Sequence, residues 1–266
     1  MIRTLLARLF GFPASPGEDS RTESREPQEV GENDPRQSLA ESSPPAVTDS
    51  PEIAVGSKHL ELIAGLGNPG SKYDHTRHNV GFLVLDELAG QAGLSFGSER
   101  KWEADAMRTG GVLYLKPKTY MNDSGRAVVR AAHFHKIEPA RILVLCDDVS
   151  LPLGSVRLRR GGSSGGHNGL KSVAAVLGTE KFPRLRIGVG RGSAEAGEHR
   201  DELVSHVLGR FSEEERSALE QAIGKAIEAI RLSLSEGLDA AMTQFNRKVP
   251  SNQKSQADSS GSTTDS

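Results

Sequence analysis

The chain has 266 residues, 36% hydrophobic and 26% charged, with a formal net charge of −2 and a single cysteine, Cys146. One cysteine excludes an intrachain disulfide framework and a cysteine-based zinc site. No apolar run approaches the roughly 18 residues needed to cross a bilayer, so no membrane association is expected. Residues 1–57 hold seven of the thirteen prolines and ten Asp/Glu against five Lys/Arg, a local charge of −5. Such a segment buries too little apolar surface to offset its conformational entropy and is expected to be disordered. The same holds for 248–266, rich in Ser, Gly, Thr and Asp. Residues 58–247 remain as one domain carrying +3, which permits a nucleic-acid partner without requiring one. Met1–Phe10 is basic and amphipathic like an organelle transit segment, but acids from Glu18 onward argue against that reading, and the cytoplasm is the expected location.

Within the domain, Leu60–Leu66 is an apolar run ending in Gly-Asn-Pro-Gly, a strand entering a turn. Val80, Leu83, Val84 and Leu88 recur at helical spacing over Asn79–Ala92. A strand over Val112–Lys116, a helix over Asp123–Phe134 and a buried strand over Arg141–Leu145 follow, the last closing on Asp147 and Asp148. Ser155–Arg160 alternates Val156 and Leu158 with Arg157 and Arg159, giving one core face and one basic face. The glycine loop Gly161–Gly166 leads into a helix over Asn168–Leu177, then a strand over Leu185–Val189. Residues 194–211, glycine-flanked and polar before Leu203, are read as a mobile lid. Ser212 opens a capping-box pattern before a long amphipathic helix to about Ser235. Alternating strands and helices predict a single α/β three-layer sandwich, a mixed, mostly parallel sheet with helices on both faces. Sites in such sheets lie beyond the carboxyl ends of strands, where Asn68, Asn122, Asp147 and the Gly161–Asn168 loop all fall.

Three motifs invite other readings. Gly65-Leu-Gly67-Asn-Pro-Gly70 matches a dinucleotide fingerprint, but no helix follows directly and the nearest acids, Asp86 and Glu87, lie inside the next helix. A tight turn accounts for it better. Gly162-Ser-Ser164-Gly-Gly166 fits a nucleophile elbow, with Asp201 and His206 downstream, although four glycines around two serines equally suit close approach by a polar ligand. The pairs His75/His78 and His133/His135 lack metal-site spacing, and no metal is expected.

Six segments in order then resemble the bacterial-type peptidyl-tRNA hydrolase family: Gly65-Leu-Gly-Asn68-Pro-Gly, Thr76-Arg-His78-Asn-Val-Gly-Phe, Lys116-Pro-Lys-Thr-Tyr120-Met-Asn122-Asp-Ser-Gly, Asp147-Asp-Val-Ser-Leu-Pro-Leu-Gly, Gly165-Gly-His167-Asn168-Gly-Leu-Lys and Phe182-Pro-Arg-Leu-Arg186-Ile-Gly-Val-Gly. The resemblance spans 58–247 and implies cofactor-free hydrolysis of the ester joining peptide to tRNA, as in rescue of stalled translation. It makes His78 the general base, a role suited to an imidazole, which unperturbed titrates near pH ~6.5. It makes Asp147 the carboxylate that holds this histidine in its basic tautomer. Asn68 is implied to tell N-blocked from free aminoacyl groups, while Asn122 and Asn168 hold the peptide and tRNA end. Tyr73 and Tyr120 are implied to contact tRNA. Arg159 and Arg186 are implied to grip its terminal phosphate, where guanidinium forks suit bidentate contact. Two residues depart from the family pattern: Cys146 stands where histidine or tyrosine is frequent, and Ser150 where aspartate is. A monomer is expected. The competing functions are an RNA-binding paralogue without hydrolysis and a serine hydrolase using Ser164.

Overall fold

The computed structural model describes residues 60–192 and 200–247. The two termini expected to be disordered, and the first part of the expected lid, lie outside the described residues. Among the described residues, seven strands form one sheet in the order β2-β3-β4-β1-β5-β7-β6. They are β1 (Leu62–Gly65), β2 (Gly97–Glu99), β3 (Ala104–Thr109), β4 (Val112–Pro117), β5 (Ile142–Asp148), β6 (Val156–Arg159) and β7 (Arg184–Gly188). The central four, β4, β1, β5 and β7, run parallel, and the edges are antiparallel. β1 and β5 are buried along their whole length, as continuous apolar runs covered on both faces must be.

The helices among the described residues are α1 (Val80–Ala92), α2 (Ser124–His135), α3 (Asn168–Leu177), α4 (Arg200–Leu208), α5 (Arg216–Ser235) and α6 (Leu238–Phe245). Two cores flank the sheet. Residues of α1, α5 and α6 pack with Ile63, Leu143, Leu145, Leu158, Leu185 and Ile187 on one face. Those of α2 and α3 pack with Leu62, Ala64, Val144 and Cys146 on the other. This is the expected three-layer α/β sandwich.

The helices and strands predicted from periodicity are present with ends shifted by a residue or two, except β5, which runs on to Asp148, and the long helix α5, which begins four residues after Ser212. The capping-box pattern survives in half, with the Ser212 backbone N–H donating to the Glu215 carboxylate at 2.8 Å. β2, β3, α4 and α6 are not among the elements expected from the sequence. β3 had a usable signal, because Gly110 (φ 58°) and Gly111 (φ 76°) form a two-residue hairpin turn closed by the Thr109–Val112 pair. On the far edge, Asn246 covers β6: its side chain accepts from the Leu158 N–H and donates to the Leu158 carbonyl, both at 2.9 Å. An amide thus stands in for a neighbouring strand and blunts an open edge.

The docking of α1 fixes where the functional residues before it sit. A side chain on Gly81 would come within 2.7 Å of the Leu66 nitrogen and 2.8 Å of the Leu145 carbonyl oxygen, so the helix start rests directly on the ends of β1 and β5. Gly81→Ala must push backbone from backbone, and overpacking of this kind costs about 1–3 kcal/mol. A thermal or urea melt should register that loss; an unchanged midpoint would show that the contact is loose.

Candidate active site

Connections leave β1 and β5 toward opposite edges of the sheet, which opens a crevice beyond their carboxyl ends. A cleft of about 1140 Å³ occupies it, lined by Asn68, Tyr73, His78, Asn122, Asp147, Asn168 and Arg186 among others. Seven of the nine residues singled out from the sequence therefore share one cavity. Tyr120 is 56% exposed and meets Tyr73 edge-on, ring centroids 6.4 Å apart. Arg159 is exposed on the edge strand and does not line the cleft. The register pairs Arg157 with Arg186 and Arg159 with Arg184, all four on one face. Hence Arg157, not Arg159, stands directly opposite Arg186.

His78 lies in a short 3-10 turn, Arg77–Asn79, that enters α1. Arg77 anchors this turn by donating to the Arg210 carbonyl at 2.9 Å and pairing with Glu215 at 2.6 Å. His78 Nδ1 lies 2.7 Å from Asp147 Oδ1 at the end of β5. An ionised carboxylate only accepts, so Nδ1 carries the proton and Nε2 keeps its lone pair. The Asp147 side chain is 3% exposed. Burial alone would push its carboxyl up, but the imidazoles of His167 and then His78 outweigh burial through charge and hydrogen bonding, holding it well below the usual carboxylate range.

His167, unassigned in the sequence reading, completes this cluster: its Nε2 lies 2.9 Å from the same oxygen. His78 Nδ1, His167 Nε2 and a carboxylate oxygen of Asp147 lie within 4.8 Å of one another, a spacing a metal ion could use. Both nitrogens, however, aim at the oxygen rather than at a shared centre about 2 Å from all three, so the arrangement fits N–H···O bonding better than coordination. A neutral imidazole backed by a buried carboxylate can take a proton from water.

Asn68 is set by Asn79, a second residue the sequence reading left without a role. The Asn79 side chain accepts from the Asn68 N–H at 2.8 Å and donates to the Asn68 carbonyl at 3.0 Å. Asn68 Oδ1 accepts from the Met121 N–H at 2.8 Å. That fixes the amide so that Nδ2, without a partner among the described residues, is the group left to donate to a ligand. Asn122 lies within the 3-10 turn Met121–Asp123 that enters α2, and Asn168 is the first residue of α3.

Arg186 forms an ion pair with Asp148 at 2.8 Å through Nε, with its Nη2 beside Gly165. Ser150 donates its backbone N–H at 2.9 Å and its hydroxyl at 2.7 Å to Asp148, so this departure from the family pattern holds a turn together. Cys146 points into the core, where burial pushes its thiol up. Arg184 is buried and bonds the carbonyls of Gly162, Ser163 and Glu180, bracing the glycine loop. The serine-nucleophile reading finds no support: His206 Nε2 lies 3.0 Å from the Gly190 carbonyl, and no bond joins it to Ser164. Leu203, Val204, Val207 and Leu208 of α4 form an apolar wall of the cleft.

The mixed α/β sheet thus carries a His–Asp pair beyond the carboxyl ends of its strands, an arrangement suited to activating water. The peptidyl-tRNA hydrolase family model matches residues 62–255. The peptidyl-tRNA hydrolase of Chlorobium phaeobacteroides (strain BS1) is 48% identical over 192 residues, covering 71% of this chain and 99% of that protein. That of Synechococcus sp. (strain JA-3-3Ab) is 47% identical over 191 residues, 70% of this chain and 83% of that protein. The crystal structure of the Acinetobacter baumannii peptidyl-tRNA hydrolase superposes with a TM-score of 0.65 at 36% identity, over 73% of this chain and 97% of that one. The chain belongs to the peptidyl-tRNA hydrolase family.

The depressed Asp147 pKa carries a stability signature. In the unfolded chain the group titrates near ~3.9. Its stabilisation is therefore complete well above that value and is lost as the pH falls from about 5 downward, because the unfolded state then binds the extra proton. Urea midpoints should drop more steeply across this range for the parent chain than for Asp147→Asn. Parallel slopes would mean that the folded state does not hold the carboxylate charged.

Proposed function

We propose that this chain hydrolyses the ester bond of peptidyl-tRNA to free peptide and reusable tRNA, with His78 as general base and Asp147 as its orienting carboxylate. The 2.7 Å contact between His78 Nδ1 and Asp147 Oδ1 carries the reading, since it leaves Nε2 as the basic nitrogen of a cleft-lining imidazole. Water gives its proton to Nε2 while its oxygen attacks the ester carbonyl, and the proton passes on to the departing ribose oxygen. The Asn68 amide, locked with Nδ2 outward, is placed to donate to the developing oxyanion, where one donor is typically worth ~10²–10³ in rate. Asn122 and Asn168 hold the peptide and the tRNA end, and the Tyr73–Tyr120 pair offers aromatic faces to bases of the single-stranded 3′ end. Arg186, steadied by Asp148, takes the terminal phosphate, with Arg159 farther out on the same face. The working unit in this reading is one chain, acting in the cytoplasm to return tRNA from aborted translation.

Turnover of N-acetyl-aminoacyl-tRNA tests the mechanism. His78→Ala should lower kcat by at least ~10²–10⁴ while tRNA binding persists. A variant that still turns over at the parent rate rules out the base, and a parent chain that binds tRNA without hydrolysis points to the binding-only paralogue. Affinity for tRNA should fall with ionic strength, and Arg186→Ala should reduce the salt slope by about one. A flat salt response would indicate a small-molecule ester as substrate.

A further inference from the structure

We propose that His167 is a positioning residue of the catalytic pair: fixed in one tautomer by capping α3, its ring holds the Asp147 carboxylate aligned on His78. The inference rests on the assignment of His78 as base and deepens it.

The first turn of a helix presents N–H groups with no partner inside the helix. At α3 these are met by the side chain of His167, whose Nδ1 accepts from the Gly169 N–H at 3.1 Å and the Leu170 N–H at 3.2 Å. Serine, threonine, aspartate or asparagine are the usual residues for this task. A histidine adds a second edge to the cap. With the Nδ1 lone pair engaged by two donors, the ring proton must sit on Nε2, and Nε2–H then donates to Asp147 Oδ1 at 2.9 Å. Turning the ring over would set a C–H against the Gly169 and Leu170 N–H groups and replace the Nε2–H donor to Asp147 with another C–H. Its backbone is tied as well, because the His167 N–H donates to the Ser164 carbonyl at 3.0 Å.

Asp147 Oδ1 consequently receives two N–H donors, from His78 at 2.7 Å and from His167 at 2.9 Å. The two donors reach this one oxygen from different elements, so it is held from two sides. The second donor comes from α3, whose Leu170 and Val173 are buried in the core shared with β5. A rigid element thus reaches the base through one carboxylate oxygen. His167 and His78 are also close as rings, with centroids 5.0 Å apart.

The simpler alternative is that His167 only caps a helix, and two substitutions separate the roles. His167→Asn places an amide oxygen near the position of Nδ1, keeping a favoured cap but falling short of Asp147. His167→Gln places an amide nitrogen near the position of Nε2, keeping the donor while weakening the cap. Steady-state turnover of N-acetyl-aminoacyl-tRNA and thermal melts should be measured on the full chain. The Asn variant should melt near the parent temperature with KM little changed and kcat down about ten- to a hundred-fold, the scale of a hydrogen bond to a charged group. The Gln variant should melt lower yet keep kcat within a few-fold. Parent-level kcat in His167→Asn, or activity that tracks melting temperature in both variants, overturns the proposal. His78→Ala, assayed alongside, keeps the two assignments apart. If it stays active, both fall; if it is dead while His167→Asn is fully active, only the role of His167 falls.

Discussion

Asp147 Oδ1 is the atom on which the site converges. Burying a carboxylate this deeply is costly unless hydrogen bonds compensate, and here two imidazole N–H groups supply them. The same pair of bonds makes the site directional, since an acceptor-only oxygen dictates which nitrogen of each ring carries a proton. The sheet exists around this point: β5 is its most buried long strand, and its last residues deliver Asp147 into the cleft and Asp148 beside Arg186.

The helices serve that atom from both faces. On one side, the close approach of Gly65 and Gly81 lets α1 begin against the ends of β1 and β5, which brings His78 within bonding distance of the carboxylate. On the other, α3 brings His167. Arg77, next to His78, ties the same turn to the end of α4 and the start of α5, so His78 is braced by an element that also walls the cleft. Several groups lining the cleft are held by a neighbouring side chain. Asn79 holds Asn68, Asp148 holds Arg186, and Arg184 holds the glycine loop. Preorganisation of this sort removes reorganisation from the moment of reaction, where electrostatic stabilisation has most value.

Much of this is legible in the sequence. Helical periodicity located α1, α2 and α3, and continuous apolar runs located β1 and β5, because both signals depend on residues within a few positions of each other. The ordered motifs brought His78, Asp147 and the three asparagines into one list, and they do share one cleft. Less visible were β2, three residues of mixed exposure whose identity as a strand comes from pairing with β3, and β3 itself, announced mainly by its glycine hairpin. Asn79 and His167 stood inside quoted motifs without a role, since an asparagine at a helix start and a histidine before one look ordinary in sequence.

By itself, the sequence determined the layered α/β class, the order of most elements and the residue types available for acid–base and anion-binding chemistry. Only the tertiary structure decided which of them meet. His78 and Asp147 are 69 residues apart and Asp147 and His167 are 20, so their shared oxygen depends on strand order and helix docking. Register likewise set Arg157 rather than Arg159 opposite Arg186. Local patterns are written by near neighbours along the chain, whereas hydrogen bonds reaching between elements are fixed only once the sheet has assembled.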